Sequence, residues 1–127
     1  MMMKFTCNTG ELNQGINSAL LAVSPKSTLL ALEGILVRVT TKEITLMSYN
    51  LEMGITAIVD AKVEKTGEII IPAKVFSDII RRIESDEVTI EADDRCLVQI
   101  TGGVSQFTIL GMTSEEFPEL PEVGEAQ

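Results

Sequence analysis

The sequence has 127 residues, 45% of them hydrophobic and 23% charged, and a formal net charge of −9 at pH 7. This length fits one domain with a buried core, and the acidic balance argues against a protein that coats nucleic acid through general positive charge. It does not exclude DNA contact, because the placement of the ten Lys and Arg residues matters more than their sum.

The sequence carries no sign of export or membrane insertion. Its first residues, MMMKF, are not followed by a long apolar segment, and no apolar run approaches the roughly 20 residues that cross a bilayer. Cys7 and Cys96 lack a C-x-x-C neighbour, which is typical of buried thiols in a reducing compartment. We therefore expect a cytoplasmic protein without membrane contact.

The first half of the chain is predicted to form a strand, a helix and three further strands. In order, these are a strand at residues 3–9, a helix at 11–23, and strands at 32–40, 44–48 and 52–59. Pro25 stops the helix, and a polar loop at residues 24–28 follows it. Residues 60–66 are predicted to be a loop.

The stretch EIIIPAKVFSDIIRRIE, residues 68–84, predicts a strand that runs into a helix. Three β-branched isoleucines precede Pro72, which lacks a backbone donor and therefore suits the first turn of a helix. Apolar side chains then recur at helical spacing over residues 73–83 and form one buried stripe: Phe76, Ile79, Ile80 and Ile83. Lys74 and Arg81 are seven residues apart, about two turns, so they share the opposite face.

Strands are then predicted at residues 88–91, 96–100 and 104–110, separated by turn residues. The order of elements in the first half is therefore repeated in the second. This duplication predicts one α+β domain over residues 1–127, in which two helices pack on antiparallel sheets. Residues 113–127 are acidic and predicted to be a connector.

Four cations follow or occupy the predicted helices: Lys26, Lys74, Arg81 and Arg82. Such positions could meet DNA phosphates without reading base sequence. Two interpretations remain open, because a helix that packs on a core also leaves a solvated charged face.

An enzyme is poorly supported. The chain has no histidine and neither of the common glycine-rich phosphate-binding motifs. The adjacent acids Asp93–Asp94 and Glu115–Glu116 suit solvated turns, and no spaced His, Cys or carboxylate cluster predicts a metal site. We expect no cofactor.

Several motifs resemble those of one family. The segments MKFTCN, SPKSTLLALEGILV, LMSYNLEMGI, IIIPAKVFSDIIRRI and FPELPEV occur in the order found in bacterial sliding clamps, the beta subunits of DNA polymerase III. The resemblance covers residues 3–123 and matches the first domain of that family. It implies the DNA clamp, or processivity, fold with duplicated β-α-β-β-β halves.

The resemblance also implies a function. Three such domains per chain, in a homodimer, would close a ring around double-stranded DNA and hold the polymerase on its template without catalysis. Lys26, Lys74 and Arg81 match basic positions that face the hole, and Phe107 and Ile109 match the strand that closes the ring against the other subunit. Plain core membership is an equal interpretation for both apolar side chains.

Three departures from the family pattern bear on these expectations. Gln14 and Leu21 occupy positions on the first helix where clamps often carry lysine, and Leu30 replaces a proline. The sequence also ends after one domain, so we expect a fragment or a cut gene without the later domains that bind polymerase III and the clamp loader. The alternative is a free-standing interaction module that uses the edge strand at residues 104–110 and never meets DNA.

Overall fold

In the computed structural model, the described residues are 3–23 and 30–118. They contain nine strands and two α-helices. The strands are β1 (Met3–Asn8), β2 (Gly34–Val39), β3 (Glu43–Tyr49), β4 (Gly54–Asp60), β5 (Lys62–Lys65), β6 (Gly67–Pro72), β7 (Glu87–Ala92), β8 (Leu97–Gly102) and β9 (Ser105–Leu110). The helices are α1 (Thr9–Ala19) and α2 (Ala73–Arg82), and short 3-10 turns lie at Leu20–Ala22, Leu30–Glu33 and Ser114–Glu116.

The predicted order of strand, helix and three strands occurs twice along the chain, as expected. β5 is an addition, because residues 60–66 were predicted to form a loop. Its sequence, KVEK, has only one apolar side chain, so nothing in its pattern identifies a strand. It forms because its backbone pairs with one side of β1.

Two strand starts differ from the predicted boundaries for local reasons. β4 begins at Gly54 instead of residue 52, because Asn50 Oδ1 accepts hydrogen bonds from the backbone N–H groups of Glu52 (3.0 Å) and Met53 (2.8 Å). These bonds fold residues 50–53 into a turn, so the strand begins only after them. β2 begins at Gly34, because the preceding residues form the 3-10 turn Leu30–Glu33.

The strands form two antiparallel sheets, and each half of the chain lends its first strand to the sheet of the other half. One sheet has the order β5-β1-β7-β8-β9 and the other β4-β3-β2-β6. β1 from the first half pairs with β7, and β6 from the second half pairs with β2. Neither half can therefore complete its sheet alone.

One main core lies between the sheets and the helices. The stripe predicted on α2 is buried in it, together with the inward side chains of both sheets, for example Phe5, Ile35 and Ile90. A second, smaller core covers the outer face of β2, β3 and β6, where Leu36, Met47 and Ile70 are buried. Met112 and Phe117 pack against this smaller core, so the chain after β9 returns to the domain surface.

α1 approaches β3 and β4 closely at Gly15. A Cβ atom at this position would lie 2.9 Å from Leu46 Cδ1 and 3.1 Å from Val59 Cγ2. Glycine inside a helix costs about 1 kcal/mol relative to alanine. The close approach gives a packing reason for glycine at this point of the helix.

The substitution Gly15→Val should therefore destabilise the domain. Overpacking of a filled core typically costs about 1–3 kcal/mol, which exceeds the gain in helix propensity. Denaturant unfolding measures the free energy of unfolding of the variant against the parent chain. Asn17→Val is the matched control, because Asn17 lies on the exposed face of the same helix; equal stability of the two variants would contradict the packing argument.

Candidate nucleic-acid interface

The outward face of α1 is polar but carries no cation. The helix begins after Asn8, whose side-chain oxygen accepts a hydrogen bond from the Glu11 N–H at 2.8 Å, as an N-cap residue does. Its exposed side chains are those of Glu11, Gln14, Asn17 and Ser18. Leu21, in the following 3-10 turn, is 73% exposed, as the sequence predicts.

The outward face of α2 carries three exposed cations: Lys74, Arg81 and Arg82. The side chain of Pro72 offers no cap at the start of this helix, whereas Arg81 and Arg82 lie in its last turn, where cations interact favourably with the helix dipole. α1 and α2 contact each other, and we treat their exposed faces together. We call Lys74, Arg81 and Arg82 together with the exposed side chains of α1 the helix surface.

The three cations are not equivalent. An Arg81 guanidinium nitrogen lies 2.6 Å from Asp78 Oδ1, one helical turn earlier. Both side chains are largely exposed, so this pair adds little stability, but it offsets the charge that Arg81 presents. Lys74 and Arg82 have no ion pair or hydrogen bond with any other described residue, which leaves them as the more available cations.

The remaining predicted site residues fall elsewhere. Lys26 lies outside the described residues. Phe107 and Ile109 lie on β9, which is the last strand of the five-stranded sheet, and both are half-buried against the main core. Their neighbours Gln106, Thr108 and Leu110 point outward and are exposed. Core contact of Phe107 and Ile109 is thus observed, and their role in a subunit interface stays a prediction.

Two features of the structure were not found from the sequence. The first is the charged edge formed by β5. The second is an apolar groove of about 380 Å³ beside the start of α2, lined among others by Leu30, Ile70, Val75, Leu110 and Met112. Its residues come from three separate parts of the chain, so no sequence pattern marks it.

Cys7 is not an activated nucleophile. It is 5% exposed, and burial, reinforced by the nearby carboxylates of Glu11 and Glu87, raises the pKa of its thiol to about 12. The thiol is therefore neutral at physiological pH, and the thiolate is the nucleophilic form. Cys96 is half-buried at a turn with a positive φ of 66°.

Residues 3–23 and 30–118 contain neither a cluster of metal ligands nor a membrane-spanning helix. No group of three or more His, Cys, Asp or Glu side chains there is arranged to hold a metal ion. Neither helix of the described chain is long and apolar enough to cross a membrane.

The arrangement of exchanged halves, with two sheets and two helices, is that of the DNA clamp fold class. The crystal structure of a DNA polymerase sliding clamp from Bacillus subtilis superposes with a TM-score of 0.93 at 26% sequence identity. That superposition covers 98% of this chain and 35% of the Bacillus chain. The fold expected from the sequence is confirmed.

Sequence comparison identifies the family. The model of the DNA polymerase III beta subunit N-terminal domain matches residues 3–121, and the chain belongs to this family. A beta sliding clamp from Synechococcus elongatus is 33% identical over 95% of the chain, and one from Staphylococcus epidermidis is 30% identical over 96%. The chain spans about a third of the length of these relatives, 33% and 34% respectively.

The two cysteines should differ in reactivity. At mildly alkaline pH, iodoacetamide should label Cys96 in the folded protein and should label Cys7 only after unfolding, because Cys7 is buried and protonated. The site of labelling is read by peptide mass spectrometry, with a denatured sample as the control. Rapid labelling of Cys7 in the folded protein would contradict its burial.

The raised pKa of Cys7 also predicts a pH dependence of stability. The unfolded thiol titrates near 9.0 and the folded one near about 12, so the folded state binds the proton more tightly. The contribution to stability is fully present below pH 9 and is lost as the pH rises toward about 12. A Cys7→Ala variant should lose less stability than the parent over this interval.

Proposed function

We propose that this chain is the first domain of a DNA sliding clamp, which surrounds double-stranded DNA and keeps a replicative polymerase on its template. The observation that carries the proposal is the match of residues 3–121 to the N-terminal domain of the DNA polymerase III beta subunit. The curated relatives named beta sliding clamps support it, as does the likeness to the Bacillus subtilis clamp.

The helix surface suits a contact that must slide. It offers few cations and many short polar side chains, and one of its cations is already paired with Asp78. Phosphate contacts of this kind are independent of base sequence. Equivalent contacts can therefore form at each position as the protein moves along the duplex. A large basic surface would bind more tightly and would resist movement.

In the complete protein, we infer a homodimeric ring with Phe107 and Ile109 near the contact between subunits. DNA polymerase III and the clamp loader would bind to later domains. The chain would act without catalysis or a cofactor, in the cytoplasm. Lys26, Lys74, Arg81 and Arg82 would face the DNA.

A second candidate is a free-standing interaction module. The outer side of β9 has no partner strand within the described chain, and edge strands of this kind can accept a strand from another protein. This candidate predicts stable capture of a protein partner by the chain alone. The clamp proposal instead predicts salt-dependent retention on DNA by the complete ring.

Reversal of the charges predicted to face DNA tests the clamp proposal. In the complete protein, the triple change of Lys26, Lys74 and Arg81 to Glu should shorten retention on circular DNA. Each lost phosphate contact should reduce the slope of log affinity against log salt by about 0.9. Fluorescence retention assays over a salt series measure both effects.

The matched control reverses Lys42, Lys62 and Lys65, which are exposed and are not part of either helix. This control changes the net charge by the same amount. Unchanged retention in the variant of Lys26, Lys74 and Arg81, or an equal loss in the control, would rule out the assigned DNA-facing residues.

The chain by itself should bind DNA very weakly. It cannot surround a duplex alone, its net charge is −9, and a few phosphate contacts give only weak binding at physiological salt. A gel shift with short duplex DNA should therefore show no complex at micromolar protein. A clear shift at moderate salt would mean that the domain binds DNA without a ring.

A further inference from the structure

The three cations of α2 lie around one acid. Asp78 follows Lys74 by four residues and precedes Arg81 and Arg82 by three and four residues. Side chains three or four residues apart on a helix are neighbours on its surface, with about 5–6 Å between their Cβ atoms. Asp78 therefore lies within about one helical turn of every cation of the helix surface.

The contact between Arg81 and Asp78 uses the group that a DNA phosphate would also use. A guanidinium nitrogen of Arg81 donates a hydrogen bond of 2.6 Å to Asp78 Oδ1. Guanidinium N–H groups bind carboxylate and phosphate oxygens with the same planar donor geometry. A phosphate that reaches Arg81 must therefore compete with the carboxylate. The Arg81 and Asp78 side chains are 59% and 43% exposed, so a phosphate has access to the pair.

Stability gives little reason for an acid at this position. Aspartate is a poor helix former inside a helix, and an exposed ion pair contributes little to folding. α2 is held instead by its inward face, where Phe76, Ile79 and Ile80 are buried in the main core. That burial fixes the helix and keeps the pair of Asp78 and Arg81 on its outward side. The acid is therefore better explained by its effect on the neighbouring cations.

The carboxylate of Asp78 also acts on the two cations that it does not contact. The Debye length at physiological salt is about 8 Å, which exceeds the separation of neighbouring positions on a helix, so the acid lowers the positive potential at Lys74 and Arg82. Three cations and one acid give this face of α2 a net charge of +2. Removal of the acid would raise the net charge of the face to +3.

We propose that Asp78 is an intramolecular competitor for DNA phosphate, which weakens the contact of α2 with the duplex so that the protein moves along it. This inference rests on the proposed clamp function and names the residue that tunes its DNA contact. When a phosphate leaves Arg81, the carboxylate of Asp78 takes its place, and Arg81 passes between two anions without remaining unpaired. Lys74 and Arg82, which have no ion pair among the described residues, supply the remaining attraction.

The substitution Asp78→Asn in the complete protein tests the proposal. It keeps the size of the side chain and removes its charge, so Arg81 becomes available to phosphate and the ring should slide more slowly along linear DNA. One added phosphate contact steepens the slope of log affinity against log salt by about 0.9, which is about a 3.5-fold change in affinity between 50 and 200 mM salt. Single-molecule tracking should show a fall of this order in the diffusion coefficient at the lower salt concentration.

Three further variants separate this effect from a general gain in positive charge. Glu64→Gln, on β5 and outside both helices, changes the net charge by the same amount and should slide as the parent does. Asp78→Glu keeps the carboxylate and should also behave as the parent. In an Arg81→Gln background, Asp78→Asn should have a much smaller effect, because the acid then has no arginine to compete for.

Retention of the parent ring on circular DNA is measured alongside, because it tests the proposed function independently of Asp78. A parent ring without salt-sensitive retention overturns the proposed function and this inference with it. If the parent is retained but Asp78→Asn slides at the parent's rate, the inference alone is overturned.

The control variants give further outcomes that contradict the proposal. Equal slowing in Glu64→Gln overturns it, and so does a full effect of Asp78→Asn in the Arg81→Gln background or slow sliding of Asp78→Glu. Circular dichroism and thermal melting establish that each variant is folded, and Asp78→Gln replaces Asp78→Asn if the latter does not fold.

Discussion

The exchange of first strands between the two halves is the constraint on which the rest of this domain depends. β1 lies in register with β7, from Met3 opposite Ala92 to Asn8 opposite Glu87. β6 lies in register with β2 in the same manner, from Gly34 opposite Pro72 to Val39 opposite Gly67. Each helix follows an exchanged strand directly, so the exchange brings both helices to the same part of the molecule, where they contact each other. The helix surface is thus a consequence of topology.

The electrostatics of that surface follow from a few positions. α1 contributes polar side chains and one acid, Glu11, whereas the cations come from α2. Asp78 offsets Arg81, and Lys74 and Arg82 stand about two turns apart on α2 without a charged partner among the described residues. In a chain of net charge −9, the proposed DNA contact would depend on positions where such cations lie together. Retention by encirclement, as proposed, would not require these contacts to be strong.

Much of the fold could be predicted because local patterns and tertiary structure agree. The helix stripe from Phe76 to Ile83 and the alternation in β7 and β8 both identify faces that are buried in the structure. β5 could not be predicted, because its pairing with β1 is decided by a partner distant in sequence. The bridge between Ile70 and Met112 is hidden for the same reason, since a single backbone contact leaves no periodicity in the sequence.

For the candidate sites too, some properties follow from local sequence and others depend on tertiary contacts. Spacing alone could place Lys74, Arg81 and Arg82 on an outward helix face. It could not predict that Arg81 is paired with an acid, because the contact of Arg81 with Asp78 depends on side-chain rotamers. Phe107 and Ile109 illustrate a further limit of sequence patterns: alternation shows that they share a face, yet a half-buried position serves the core and an interface equally well. The structure shows in addition whether the outer side of each edge strand is paired or protected. β5 is protected by charged residues and β6 by the bridge to Met112, whereas β4 and β9 each pair with a neighbouring strand on one side only within the described chain.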